Sequence, residues 1–166
     1  KDDIEPIAIP MYGRSLHMPD GSSAYQQYGK NNEAIFSVSR GELNRKLMDV
    51  AEQHGVEILF DHRCTGVNLA TNELSFDVLG TAKKTSADLL FGADGAFSAL
   101  RMSYGLADRV NTSQNYLEHG YKELTIPAAE NGGFLIEKEA LHIWPRHNYM
   151  LIALPNIDGS FTCTLF

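Results

Sequence analysis

The feature that most constrains the fold is an apolar run that ends in an acidic residue and a glycine. Residues 89–93 are apolar or small, and Asp94 and Gly95 follow directly. A short run of this kind is typical of a strand that is buried on both faces of a sheet. Open α/β sheets bind ligands at the carboxyl ends of their strands, and a glycine there lets the backbone approach a phosphate closely. The sequence therefore predicts a strand at 88–93 and a ligand-contacting turn after it.

The residues after this turn make the pattern more specific. Ser98 and Arg101 follow three residues apart, which predicts a helical turn, and the whole pattern is Gly-Ala-Asp-Gly-x-x-Ser-x-x-Arg. An Asp-Gly pair alone would more often close an ordinary strand. The full pattern resembles the second dinucleotide signature of the aromatic hydroxylase flavoproteins. The resemblance implies that Asp94, Gly95 and Arg101 bind cofactor, with FAD and the reducing cofactor NADPH both served by this motif.

A second segment predicts a helix that begins at Ser39. Ser39 and Glu42 have the form of a capping box, apolar residues follow at helical spacing, and Gly55 marks the end. Arg40 stands at the amino terminus, where the helix dipole repels cations, so an anionic partner is expected unless Arg40 is simply solvated. The matching arginine of the resembling family meets the flavin. By position, Cys64 is expected near the adenine end of FAD, although a free buried cysteine is nearly as good an interpretation.

Alternating segments on both sides predict antiparallel strands. We expect hairpin arms at 7–9 and 14–18 with a turn at 19–21, and further strands at 34–38, 56–60, 66–69, 73–78, 141–145, 149–155 and 160–166. The predicted fold class is mixed α/β. It combines part of an FAD-binding Rossmann-like domain, residues 39–104, with an antiparallel substrate-domain sheet built from 1–38 and 105–166.

Other segments are similar to those members of the family that hydroxylate L-kynurenine. The segments that carry this similarity are 9–14, 27–29, 121–124, 141–146, 150–156 and 160–166. The resemblance implies NADPH-driven insertion of one oxygen atom from O2 into the ring of L-kynurenine, giving 3-hydroxykynurenine, in tryptophan degradation and NAD biosynthesis.

The resemblance also indicates substrate-binding residues. Arg14 would hold the substrate carboxylate through two parallel charge-assisted hydrogen bonds, with Tyr28 adding a third, although from sequence alone a surface arginine is the simpler interpretation. The apolar positions that the resemblance places in the kynurenine pocket, and that could equally be core, are Leu141, Met150, Ile152, Leu154 and Phe166. Met150, Ile152 and Leu154 alternate, so they share one sheet face. His142 and Trp144 face the other way and are expected to be structural, so no catalytic residue is assigned.

Composition excludes some classes. The formal net charge of −7 argues against a nucleic-acid binder. No apolar run approaches the ~20 residues of a membrane span. The two cysteines lack metal-ligand spacing, so no metal is expected, and without a secretory signal a reduced, intracellular setting is favoured. For a bacterial-type protein the expected location is the cytoplasm. For a eukaryotic form the resemblance would imply the mitochondrial outer membrane instead.

The chain also lacks one hallmark of the family that it resembles. That family begins with a Gly-x-Gly-x-x-Gly turn for the FAD pyrophosphate, and the sequence contains no such run. We therefore expect an internal piece of a longer enzyme, inactive by itself. Two alternatives remain: a different flavin-dependent aromatic hydroxylase that acts on a phenol, and a standalone β-rich binding module. The signature at 94–101 disfavours the module, which would not need it.

The 166-residue chain alone is expected not to retain FAD, because the turn that supplies backbone donors and a helix amino terminus to the pyrophosphate is missing. The measurement is flavin absorbance after gel filtration, and a yellow protein with stoichiometric flavin would contradict the prediction. Uncovered apolar surface is expected to drive self-association. Light scattering that finds a strict monomer at high concentration would contradict that second expectation.

Overall fold

The chain divides into two compact units in a computed structural model that describes residues 2–107 and 110–166. The first unit comprises Lys1–Val56 and Leu117–Phe166, and the second comprises Glu57–Tyr116. The predicted mixed α/β class is confirmed, since the described part of the chain contains two α-helices and three sheets. The sequence assigns residues 39–104 to a flavin domain and residues 1–38 and 105–166 to a substrate domain. This assignment stays a prediction.

Within residues 2–107 and 110–166, eleven strands and two α-helices follow a short 3-10 helix at Glu5–Ile7. In chain order they are β1 (Ile9–Met11), β2 (Gly13–His17), β3 (Ser23–Gln27), β4 (Ile35–Ser37), α1 (Arg40–Gln53), β5 (His62–Asn68), β6 (Glu73–Val78), β7 (Thr81–Ser86), α2 (Ala99–Ala107), β8 (Lys122–Ile126), β9 (Ala140–Arg146), β10 (Tyr149–Pro155) and β11 (Phe161–Leu165).

The first unit is built on a six-stranded sheet of order β3-β2-β9-β10-β11-β8. Strands β9, β10 and β11 form an antiparallel meander, and β2 joins it in parallel with β9. Strands β1 and β4 form a separate two-stranded ladder. Because β2 comes from the amino-terminal part of the chain and β9 from the carboxyl-terminal part, this parallel pairing joins the two sequence segments of the unit.

One face of the six-stranded sheet, which we name the back face, forms the core. Ala153 and Phe161 are fully buried there and Cys163 is 2% exposed. Residues of the segment before β9 pack against them, so that Phe134 meets Phe161 edge to face with ring centroids 5.8 Å apart. Burial raises the pKa of the Cys163 thiol, which keeps it protonated within this core.

Helix α1 begins after Ser39 and ends before Gly55, as the sequence predicts. Gly55 has φ +82°, and the amides of Gly55 and Val56 donate to the carbonyls of Glu52 and Ala51, which is a Schellman ending. The predicted capping box is wrong, because Ser39 makes no side-chain cap. Glu42 pairs instead with Arg45, one turn along the exposed side of the helix.

The second unit consists of a three-stranded antiparallel sheet, β5-β6-β7, with helix α2 against β5. The Ser103 hydroxyl of α2 accepts from the Val67 amide of β5 at 3.1 Å and donates to the Ala99 carbonyl at 2.9 Å. A bulge between Cys64 and Gly66 shifts the register of β5 beside this contact. The helix is therefore fixed to the sheet by a polar contact.

Three strand predictions are wrong. Neither 56–60 nor 88–93 forms a strand, and Phe60 and Phe91 are 62% and 87% exposed. An apolar run becomes a strand only when a neighbouring strand accepts its hydrogen bonds, and no described strand lies beside either run. The hairpin between 7–9 and 14–18 is also wrong, since β1 pairs with β4 and β2 pairs with β3.

The turn between β10 and β11 depends on a glycine that has no room for a side chain. Gly159 is buried and has φ +86°, and a Cβ atom there would lie 2.5 Å from the Gly132 carbonyl oxygen and 3.2 Å from the Ala128 Cβ. Gly21, in the β2–β3 turn, has the same φ but nothing within 4 Å of such an atom. A side chain at Gly21 would therefore add backbone strain alone, whereas a side chain at Gly159 would add both backbone strain and a steric clash.

Gly159→Ala is expected to lower the free energy of unfolding of the purified protein by about 2–4 kcal/mol, since it adds overpacking to backbone strain. The matched control, Gly21→Ala, adds the strain alone and is expected to cost about 1 kcal/mol. Chemical denaturation of both variants measures the difference. Equal losses would show that the Gly159 turn does not pack against the 128–133 segment.

Candidate functional site

The face of the six-stranded sheet opposite the core, which we name the front face, collects most of the predicted substrate residues. The strand register places Arg14 beside Leu141, and Ile152 beside Ile143. Phe166 exchanges two backbone hydrogen bonds with Met150, so these residues lie opposite each other at the end of the sheet. Since side chains two residues apart share a face, the members that the register brings together are Arg14, Leu141, Met150, Ile152, Leu154 and Phe166.

The front face is apolar but remains accessible. Met150 and Phe166 are 37% and 43% exposed, while Leu141, Ile152 and Leu154 are partly buried. Residues of the same strands that point to the back face, such as Ala153, are fully buried. A flat apolar surface of this kind suits a planar aromatic ligand, and the residues at its borders can give that ligand a direction.

Arg14 and Tyr28 form a pair at one border of the front face. The Arg14 guanidinium carbon lies 5.7 Å from the centroid of the Tyr28 ring, within the range of a cation–π contact. Burial raises the pKa of the Tyr28 phenol, although the nearby Arg14 charge opposes the shift. Tyr28 therefore keeps its proton at neutral pH and can donate it to an acceptor. The pair presents two kinds of donor to an anion.

Arg40 stands at the opposite border. It lines a cavity of about 290 Å³ together with the backbone at Gly41 and with Leu154, Thr162 and Thr164 of the front face. Among residues 2–107 and 110–166, neither Arg40 nor Arg14 has an ion-pair partner within 4.0 Å. Two cations without such partners thus stand on the two sides of one apolar surface.

The back face behind Arg14 and Leu141 holds a stack of three rings. The His17 ring lies parallel to Trp144 with centroids 4.3 Å apart, and its Nε2 lies 2.9 Å from His142 Nδ1. His142 Nε2 lies 2.7 Å from the Glu137 carbonyl oxygen, which can only accept, so Nε2 carries a proton and donates it. Burial first, and then the charges of His142 and Arg146, lower the pKa of His17. Both histidines are committed to this stack and lie on the face away from the apolar surface.

The signature after residue 93 forms a turn that caps helix α2. One Asp94 oxygen accepts from the amides of Ala99 and Leu100 at 2.7 and 3.3 Å, and the Ser98 hydroxyl accepts from the Arg101 amide at 2.9 Å. Hydrogen bonding by the Ser98 hydroxyl, and then by the helix amides, lowers the pKa of Asp94. Gly95 has φ +77°, a conformation that glycine adopts without strain.

Arg101 secures the same turn from the other side. Its guanidinium donates to the Gly95 carbonyl oxygen at 3.2 Å and also to that of Ala96. The turn lines a cavity of about 480 Å³, and Gly92 and Gly95 present bare backbone to it. A cavity of this size with exposed glycine backbone suits part of a dinucleotide, because glycine lets a ligand approach the backbone closely. Asp94 and Arg101 thus shape the backbone that a cofactor would meet.

Cys64 lies in the second unit on β5, before the bulge. It is partly buried, and its Sγ lies 3.7 Å from the Gly66 carbonyl oxygen. It does not line the cavity beside Asp94. Its predicted position near the adenine end of FAD stays a prediction.

Sequence reasoning missed residues that complete the front face. Leu16 and Ile143 are cross-strand neighbours there, and Thr164 lies directly beside Ile152. Strict alternation along β9 and β11 could have found Ile143 and Thr164. Leu16 could not be found in this way, because only the parallel pairing of β2 with β9 brings it to the surface.

Comparison with known protein families matches residues 12–148 to the FAD binding domain family. The chain belongs to this family. Among curated proteins, it is 48% identical to kynurenine 3-monooxygenase of Flavobacterium psychrophilum and 46% identical to kynurenine 3-monooxygenase of Dictyostelium discoideum. Each alignment covers 99% of this chain, and the chain spans 37% and 36% of the length of these relatives.

Solved structures agree on the fold. The Klebsiella pneumoniae protein HpxO, in a crystal structure with FAD and uric acid, superposes with a TM-score of 0.68 at 19% identity. The superposition covers 99% of this chain and 41% of HpxO. Within the described ranges no helix is long and apolar enough to cross a membrane, and no group of three or more His, Cys, Asp or Glu side chains could hold a metal ion.

Asp94→Asn is expected to lower the melting temperature of the purified protein at neutral pH, because the amide keeps an acceptor but removes the charge beside the α2 amino terminus. Since the folded-state pKa of Asp94 is lowered, its contribution is complete above the ordinary value of 3.8 and is lost as the pH falls through the lowered value. The difference from wild type should therefore shrink at acid pH.

Thermal unfolding from about pH 7 down to about pH 3 tests this prediction, with Asp88→Asn as the control in the same segment. Equal melting temperatures of Asp94→Asn and wild type at neutral pH would contradict the cap. A difference that persists undiminished in acid would contradict the contribution of the charge.

Proposed function

We propose that this chain contributes the substrate face, and part of the cofactor site, of an FAD- and NADPH-dependent monooxygenase that hydroxylates L-kynurenine. The reaction takes L-kynurenine, NADPH, a proton and O2 to 3-hydroxykynurenine, NADP⁺ and water. The observation that carries the proposal is the front face. Six of the seven predicted substrate residues lie on it, with Arg14 at the border beside Tyr28. The similarity to kynurenine 3-monooxygenases over nearly the whole chain supports the same substrate.

The proposed role of Arg14 and Tyr28 is to bind and orient the substrate carboxylate. A carboxylate that leaves water needs a partner charge held in place. The guanidinium fork supplies two parallel donors, and the protonated phenol supplies a third. Because the carboxylate is fixed at the Arg14 border, the aromatic ring extends over Leu141, Ile152 and Met150. A simple phenol without a carboxylate would leave the Arg14 border unused.

The residues present fit FAD on two observations. The cavity beside Asp94 exposes the backbone of Gly92 and Gly95, and Arg40 offers a cation without an ion-pair partner in the described ranges. The residues proposed to hold the cofactor are Arg40, Asp94, Gly95 and Arg101, with Cys64 nearby. When bound and reduced by NADPH, FAD supplies the activation of O2 and the transfer of one oxygen atom. The residues of this chain bind and orient the substrate for that transfer.

The proposed compartment is the cytoplasm. Both cysteines, Cys64 and Cys163, are free, and unpaired cysteines are usual in a reducing compartment. Self-association of the 166-residue chain also remains a proposal. It is supported by large exposed apolar side chains such as Phe91 and Leu106, which are 87% and 91% exposed.

Arg14→Met in the full-length enzyme is expected to weaken L-kynurenine binding on the order of 30-fold or more. The substitution keeps the length of the side chain but removes its donors, and an unpaired buried charge costs roughly 2–5 kcal/mol. FAD content should stay unchanged, because Arg14 lies at the border of the front face opposite Arg40. Titration of L-kynurenine into the FAD-loaded variant measures the affinity.

The control for this experiment is Arg45→Met, which removes a guanidinium from the exposed side of α1 in the same unit. Affinity and flavin content of the control should match wild type. Wild-type affinity of Arg14→Met would contradict the assignment, and so would loss of flavin with the affinity intact.

A further inference from the structure

Arg14 and Tyr28 can bind the carboxylate of the proposed substrate but not its α-ammonium group. An α-amino acid carries an ammonium group on the same carbon as its carboxylate, so both groups must be satisfied together when they leave water. Arg14 is a cation and Tyr28 keeps its proton, so both act as donors to the carboxylate. The ammonium group needs an acceptor close to this pair.

Gln26 occupies the position that such an acceptor requires. It lies on β3 directly opposite Arg14 in the antiparallel register. Tyr28 comes two residues after Gln26 in the chain. Directly opposed residues have Cβ atoms about 5 Å apart and share a face. The side chain of Gln26 is exposed and makes no hydrogen bond with residues 2–107 or 110–166. Its amide oxygen can therefore accept from a ligand held by Arg14.

Acidic residues are the natural competitors for an ammonium group; Glu123 shares the front face, and Glu33 follows β3 in the chain. Glu123 projects from β8, four strand spacings from β2, which is roughly 19 Å. Glu33 lies closer, after β3, but its carboxylate accepts from the Asn31 amide at 2.7 Å and lies against Gly29. The distance disfavours Glu123, and the existing hydrogen bond disfavours Glu33.

We infer that Gln26 accepts a hydrogen bond from the α-ammonium group of the substrate and thereby makes the site prefer an α-amino acid to the matching carboxylic acid. The inference rests on the proposed function, because it takes Arg14 as the carboxylate partner. Gln26 is a specificity-determining residue: it distinguishes ligands that differ at the α-carbon and does nothing at the ring. Its neighbour Gln27 lies opposite Gly13 and points to the back face, which makes it a matched control.

The test compares two ligands on the FAD-loaded full-length enzyme: L-kynurenine, and 4-(2-aminophenyl)-4-oxobutanoate, which lacks only the α-amino group. Gln26→Leu is expected to weaken L-kynurenine binding about tenfold, which corresponds to about 1.4 kcal/mol, the scale of a hydrogen bond to a charged group. Binding of the analogue should stay within about twofold, because the lost acceptor faces no ammonium group. Gln27→Leu should leave both affinities unchanged.

A second variant keeps the test decisive if Gln26→Leu loses FAD. Gln26→Glu places a carboxylate at the same point, so it should retain L-kynurenine and weaken the analogue, whose own carboxylate it repels. The ratio of the dissociation constant of the analogue to that of L-kynurenine should therefore rise on the order of tenfold.

Several outcomes overturn the inference. An equal loss of affinity for both ligands in Gln26→Leu would show that Gln26 binds the carboxylate or stabilises the fold. Unchanged affinities would show that Gln26 does not contact the substrate. A selective loss in Glu33→Gln, with Gln26→Leu intact, would make Glu33 the acceptor. If the wild-type enzyme does not bind L-kynurenine at all, the proposed function is overturned as well. If the wild-type enzyme binds it normally but the Gln26 variants do not behave as expected, only the inference is overturned.

Discussion

The antiparallel meander of β9, β10 and β11 is the constraint on which the first unit depends, because its two faces have different environments. Its back face buries Ala153, Phe161 and Cys163 against the 126–136 segment, and this burial stabilises the unit. Its front face carries Leu141, Ile152 and Leu154 in a partly exposed surface. Strand alternation makes the two faces inseparable, since each residue that enters the core fixes the direction of its neighbour. The rigidity of the candidate substrate surface therefore comes from the core behind it.

Charged groups in the two units serve different purposes. In the second unit Asp94 and Arg101 are satisfied within the chain, by the α2 amides and by loop carbonyls, so they hold a glycine turn in shape. In the first unit Arg14 and Arg40 have no ion-pair partner in the described ranges and stand at the borders of an apolar surface. A cation left in this way is available to an anionic ligand. The proposed role of the signature is thus to shape the backbone, whereas the proposed role of Arg14 and Arg40 is to supply charge.

Local signals predicted some elements well and others poorly, for identifiable reasons. The ending of α1 at Gly55 was predictable because the left-handed conformation that glycine provides is a local property. The start of α1 after Ser39 was predictable too, but the capping box was not, because Glu42 pairs with Arg45 instead. The runs at 56–60 and 88–93 have strand composition but no described partner strand, so composition alone misled. The strands from β9 to β11 were predictable because short turns join consecutive partners.

The sequence by itself determined the family, through the signature at 94–101. It also determined the alternation that puts Met150, Ile152 and Leu154 on one face, because side-chain direction along a strand has a fixed period of two. Only the tertiary structure decided that Arg14 belongs with that face, since this requires the parallel pairing of β2 with β9, more than 120 residues apart, as the partners Arg14 and Leu141 show. It likewise placed Gln26 beside Arg14 and joined Asp94 to the α2 amides. Pairings between distant strands follow from which apolar faces can be buried together, and that depends on the whole chain.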